Sequence, residues 1–154
     1  GVKTEYNRLI DDGLTTREMV NLVSWNAGAS VVEPWERIIP NDDQSLFNRD
    51  FFGNFKAQAW WSMRTRCYKT WRARTMGDVY PADQLISFDS TMPLLHKLTK
   101  ELAQATHGTS TGLRMIVNKK PDGTSSPNLA DSAVMAYFPA PDTVATALTS
   151  SYSG

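Results

Sequence analysis

"LRMIVNKKPDGTSSPNLADSAVMAYF", Leu113 to Phe138, decides how the fold is read. Leu113–Asn118 is apolar and β-branched enough for a strand. Lys119–Gly123 contains a proline and an Asp-Gly pair, so the chain turns there. Ser126 and Pro127 then open a helix that runs to Phe138, with the proline where its missing N–H costs nothing. On a helical wheel Leu129, Ala133, Ala136 and Tyr137 cover one side, and Val134, Met135 and Phe138 cover most of the other. Asn128, Asp131 and Ser132 share one narrow polar strip. A helix apolar nearly all round is expected to be buried, and a buried carboxylate needs a partner. Two readings of Asp131 stand at this point. It interacts with the helix dipole or pairs with Lys or Arg, or it serves a metal or a catalytic step. Lys119 and Lys120, on the turn before the helix, are solvated by default and are also well placed for a phosphate contact.

Working outward, residues 2–10 have a helical pattern that ends at Asp11-Asp12-Gly13. "MVNLVSW" (Met19–Trp25) predicts a buried strand over Val20–Trp25. Residues 28–46 hold prolines and a polar run, and are read as irregular. A long helix is predicted from Asn54 to Thr75, with no Pro or Gly inside it. "QLISF" (Gln84–Phe88) is a short strand candidate, residues 92–105 form a helix with Pro93 in its first turn, and "GTSTG" (Gly108–Gly112) is a flexible loop. Beyond Phe138 the chain is rich in Pro, Ala, Thr and Ser, the composition of a loose tail. Alternating strands and helices argue for an α/β layer structure.

The totals bound the class. A chain of 154 residues holds one domain with a sizeable core. No apolar run approaches the roughly 18 residues that span a membrane, and "GVKTEYNRLI" has no signal-peptide layout. The single cysteine, Cys67, excludes an internal disulfide and a multi-cysteine zinc site. The formal net charge is zero, but residues 51–74 carry six Lys/Arg and no Asp/Glu. A block of that kind faces nucleic acid, an acidic protein surface, or water.

Most of that block lies on the long helix. Trp60, Met63, Cys67 and Trp71 mark its core face, with Trp61 and Tyr68 at the edge. Arg66, Lys69 and Arg72 occupy the opposite face, either solvated or available to a polyanion whose binding would weaken with salt. Arg64 points into the aromatic arc, where a guanidinium stacks or reaches a buried acid. His96 and His107 form no metal-binding pattern. No Ser/His/Asp signature, phosphate-binding glycine loop or dinucleotide fingerprint is present.

Three blocks, "NFKAQAWWSMRTR" (Asn54–Arg66), "YPADQLISF" (Tyr80–Phe88) and "GLRMIVNKKPDGTSSPNLADSAVMAYF" (Gly112–Phe138), together resemble the C-terminal nuclease domain of tailed-phage large terminase subunits. Their order and spacing match, "GVK" followed by a helix and "LVSWNAG" fit as well, and "SPNLADSAVMAY" is the most specific segment. The resemblance implies a ribonuclease H-like mixed sheet flanked by helices, with residues 1–138 the nuclease domain and 139–154 a flexible tail. It implies metal-dependent cleavage of concatemeric double-stranded phage DNA during genome packaging, in the host cell cytoplasm. Two Mg²⁺ or Mn²⁺ ions would be held by three acidic residues, and Asp131 in "LADS" matches the third. Asn128, Ser132, Lys119 and Lys120 would support that site, while Arg64, Arg66, Lys69 and Arg72 would contact DNA. The implied partners are double-stranded DNA, the terminase ATPase domain, the small terminase subunit and the portal. The other two acids and the first strands of the sheet are expected upstream of the position matching Gly1. The resemblance leaves open whether a fragment lacking them is active alone, and so leaves a second reading: a non-catalytic module that grips DNA or docks on the portal.

Overall fold

A computed structural model describes residues 2–20 and 22–138. The chain divides into two compact units, one holding the residues up to Trp25 and a larger one starting at Asn26.

In the first unit, α1 (Val2–Asp11) is a single exposed helix with no buried residue. Arg8 pairs with Glu5 and Asp12 on its surface. Gly13, at φ +69°, lets the chain turn after it. The strand predicted over Val20–Trp25 does not form among its described residues, and Val20, Leu22 and Val23 remain 39–49% exposed. A strand is stable only beside another strand, and among the described residues none runs alongside this segment.

The second unit is built on α3 (Phe55–Met76), a helix of 22 residues and so about 33 Å long. Asn54 caps its start, its side chain accepting from the Ala57 N–H at 2.9 Å. Gly77, at φ +76°, closes its end in the left-handed conformation. The core forms around its first half: Phe55, Ala57, Ala59, Trp60 and Met63 are buried together with Phe52, Ile86, Leu98, Met115, Ala130 and Val134. The predicted core face fades toward the other end, where Tyr68 is 47% and Trp71 50% exposed. Before α3, the loop at 27–32 is tied to it: Phe55 and Lys56 donate to the carbonyls of Ala29 and Ala27, and Gln58 bonds both backbone groups of Val32. Between them lies α2 (Asn48–Phe51), a single turn.

The sheet of the described residues is one antiparallel pair, β1 (Thr106–Thr109) and β2 (Met115–Asn118), with Thr106 opposite Asn118 and Thr109 opposite Met115. β2 starts later than predicted because Leu113 turns at φ +57°. β1 takes residues read as loop, since its pairing depends on β2 rather than on its own weak strand propensity. Phe52 makes an isolated bridge with Met115, and the Gly53 N–H donates to the Met115 carbonyl at 2.7 Å. Glycine is required at that contact: a Cβ on Gly53 would lie 2.8 Å from the Ile116 side chain.

The predicted strand at Gln84–Phe88 is replaced by a 3₁₀ turn (Ala82–Gln84) and an extended run along α3. Its pairing is with a side chain: the Ile86 N–H donates to Thr70 Oγ1 at 2.9 Å. Helices α4 (Leu95–Gln104) and α5 (Asn128–Tyr137) pack on each other, and α5 also packs on α3. The fold is thus mixed α/β, a small antiparallel sheet flanked by helices.

Candidate functional site

The junction from β2 to α5 is shaped by local bonds. Asn118 Oδ1 accepts from the Lys120 N–H, Gly123 turns at φ +79°, and Thr124 bonds back to Pro121 through its N–H and its hydroxyl. Pro127 is fully buried at the start of α5. This path brings Lys119 over the first turns of the helix, where its Nζ donates to Asp131 Oδ2. The pair is partly sheltered, with 19% of the Asp131 side chain and 32% of the Lys119 side chain exposed. Asp131 therefore has the basic partner that its place among apolar neighbours requires.

Helix α4 holds this junction from behind. Glu101 is buried at 6% exposure, and its Oε2 accepts from the N–H groups of Leu129 at 2.8 Å and Ala130 at 3.1 Å. A carboxylate there satisfies donors that Pro127 cannot cap and favours the positive end of α5. Lys97, one turn back, lies 3.9 Å from the other Glu101 oxygen. Gln104, three residues on and so on the same face, donates from Nε2 to the carbonyls of Lys119 and Ser125. Sequence reasoning missed both residues. The available signal was an acid at position 101 within the apolar spacing of Leu95, Leu98 and Leu102.

The other expected site residues fall in two groups. Asn128 and Ser132 share the exposed strip beside Asp131: Asn128 accepts from Ser126 Oγ, and Ser132 Oγ donates to the Asn128 carbonyl. Lys120 is exposed next to Lys119. Helix α5 is less buried than its composition predicts, for Ala130 and Val134 alone are buried in it and Met135 is 41% exposed. Its main packing is against α4 and α3.

The basic residues of α3 bind the following segment of the chain. Arg66 donates to the carbonyls of Asp83 and Leu85, and Lys69 Nζ to Gln84 Oε1 at 2.6 Å. Arg72 Nε donates to Asp78 Oδ2 at 2.5 Å. That guanidinium and the Tyr80 hydroxyl hold the Asp78 carboxyl below the usual carboxylate range. Arg64 lies over the Trp61 ring, 4.8 Å from its centroid, and is exposed rather than reaching a buried acid. Arg66 also reaches α5, over the Tyr137 ring at 5.5 Å. Tyr137 is six residues from Asp131, roughly 9 Å along the axis.

The fit to a divalent cation is partial. Asp131 offers a hard oxygen donor, but among the described residues no group of three His, Cys, Asp or Glu could hold a metal ion. Two ions need more carboxylates than this single one. Among the described residues, too, no helix is long and apolar enough to cross a membrane.

No protein-family model and no curated protein matches the chain. Solved structures do. The nuclease domain of the large terminase subunit gp2 of bacterial virus Sf6 is 26% identical, with a TM-score of 0.64 over 73% of this chain and 51% of that one. A mutant of that domain with manganese and β-thujaplicinol is 25% identical, with a TM-score of 0.64 over 75% of this chain and 52% of its own. A mutant with calcium matches at a TM-score of 0.62. The chain spans about half the length of these domains. In fold and in matched sequence alike, the chain is similar to the nuclease domain of a phage large terminase subunit.

Proposed function

We propose that the chain is part of a metal-dependent endonuclease that cuts double-stranded viral DNA during genome packaging. The observation that carries this reading is the Lys119–Asp131 pair at the β2–α5 junction, in a fold shared with nuclease domains that have been studied with manganese. Asp131 is one ligand of the cation site, and the remaining carboxylates come from outside the described residues. Oxygen donors favour Mg²⁺ or Mn²⁺ over softer metals. A bound pair of such ions stabilises the attacking and leaving oxygens of a phosphodiester displacement. Lys119 neutralises Asp131 and fixes its rotamer, Glu101 and Gln104 hold the backbone on either side, and Lys120 is free to meet a phosphate. Arg64, exposed over the Trp61 ring, extends the basic surface toward the duplex, and Arg66, Lys69 and Arg72 border it while bound to residues 78–85. The ATPase domain, the small terminase subunit and the portal are the working partners, and the host cytoplasm is the setting. Residues 1–138 constitute the nuclease portion; the flexible tail expected at 139–154 lies outside the described residues.

The test is plasmid nicking or linearisation in Mn²⁺ or Mg²⁺ by a longer chain that includes the upstream strands. Asp131→Ala is expected to abolish cutting while duplex binding remains. Equal cutting by parent and variant would remove Asp131 from the site. A second reading, a non-catalytic module that grips duplex DNA or docks on the portal, is favoured by one observation: the described residues hold no three-acid cluster. Binding that survives chelator, with no cutting by the longer chain, would select it.

A further inference from the structure

Away from Asp131, a cavity of about 340 Å³ opens between the loop at 28–34, the α2–α3 turn and the start of β2. Its lining includes two arginines, Arg49 and Arg114, the hydroxyl residue Ser30, and no acidic side chain. The two arginines come from different elements, and both are exposed at the mouth of the cavity. Arg49 lies flat over the Trp35 ring, 3.4 Å from its centroid, which orients the edge of the guanidinium and leaves its N–H groups for in-plane acceptors. Its one acidic neighbour, Asp50, is 3.5 Å away and 47% exposed, a pairing that contributes little in water. Arg114 stands at the end of a closed turn: its carbonyl accepts from the Ser110 N–H at 2.8 Å and its N–H donates to Ser110 Oγ at 3.2 Å. The contact of Gly53 with β2 carries this turn against α2, and a Cβ on Gly53 would come within 3.9 Å of the Arg114 Cβ.

Two arginines lining one cavity with no acid in its lining give it a positive potential that an anion would relieve. One guanidinium fork suffices for a planar carboxylate. Two guanidiniums from separate elements, with a hydroxyl, suit the several oxygens of a tetrahedral anion. We propose that Arg49, Arg114 and Ser30 form a phosphate-binding site. Its source is a backbone phosphate of duplex DNA, an identification that rests on the nuclease reading; the alternative source is free phosphate.

The experiment uses the whole chain in chelator, so that cleavage plays no part. Fluorescence anisotropy follows a labelled duplex at several salt concentrations, and calorimetry follows inorganic phosphate. Arg114→Ala and Arg49→Ala are each expected to weaken duplex binding several-fold and to make the slope of log affinity against log salt shallower by about 1. Circular dichroism checks that both variants are folded, and Arg114→Lys should keep the salt slope while losing affinity. Phosphate binding that is lost in Arg114→Ala while duplex binding is unchanged supports the site and assigns it to free phosphate. Unchanged affinity and slope for both probes in both alanine variants would overturn the proposal, as would a parent chain that binds neither probe. Binding through this site in a chain whose longer form does not cut would instead sink the nuclease reading alone.

Discussion

Glu101 and Asp131 are two carboxylates with opposite surroundings. Glu101 is almost fully buried and spends one oxygen on two backbone N–H groups of α5. Asp131 is partly open and spends one oxygen on a lysine. Removing Glu101 leaves two donors unsatisfied in the interior, where each such loss is costly. Glu101→Ala should therefore lower stability by about 2 kcal/mol in urea unfolding, and Glu101→Gln, which keeps one acceptor, should cost less. A change of Glu101→Ala too small to measure would mean that α5 does not depend on this cap. Asp131 was legible in the sequence because a lone acid in an apolar helix is conspicuous. Glu101 was not, because an acid in an amphipathic helix reads as surface until a second helix is known to end against it.

At the scale of elements, the C-terminal half of α3 and the segment after it form one device. Arg66, Lys69, Thr70 and Arg72 all bond to residues 78–86, so a face read as open is lined by the chain itself. Asp78 is the titratable clasp, its pKa lowered chiefly by the Arg72 hydrogen bond and further by that of Tyr80. A carboxyl with a depressed folded pKa adds stability above its unfolded pKa and loses it as pH falls through the folded one. The clasp should stay closed from neutral pH down through the ordinary carboxylate range and open below it. Tryptophan fluorescence from Trp71 across an acid titration reads this, and in Asp78→Asn the acid transition at this segment should disappear. An unaltered transition in the variant would assign it to another group. Helices α1, α3 and α5 were legible to within a residue, from Asn54 and Gly77 at the ends of α3 and from Pro127 before α5, while α4 begins three residues later than read, leaving Pro93 outside it, and the single turn α2 was not read. Among the strands, β2 was legible from Leu113–Asn118, but among the described residues Val20–Trp25 and Gln84–Phe88 have the composition without a strand to pair with, whereas Thr106–Thr109 has poor composition and a partner.

For the molecule as a whole, three sequence blocks in order pointed to the same family that the fold matches, at 25–26% identity to the solved structures. About half of the matched domain is spanned here, and the described residues contribute one candidate metal ligand rather than a cluster. The central claim is that this ligand is Asp131. Titration of the ¹⁵N-labelled chain with Mn²⁺, followed by NMR, tests it most directly because paramagnetic broadening reports position even when binding is weak. The account predicts that the amides of Lys119 and Ala130–Ser132 broaden first and that Asp131→Asn removes this effect. Broadening that is centred elsewhere, or that persists around residues 119 and 131 in the variant, would contradict it.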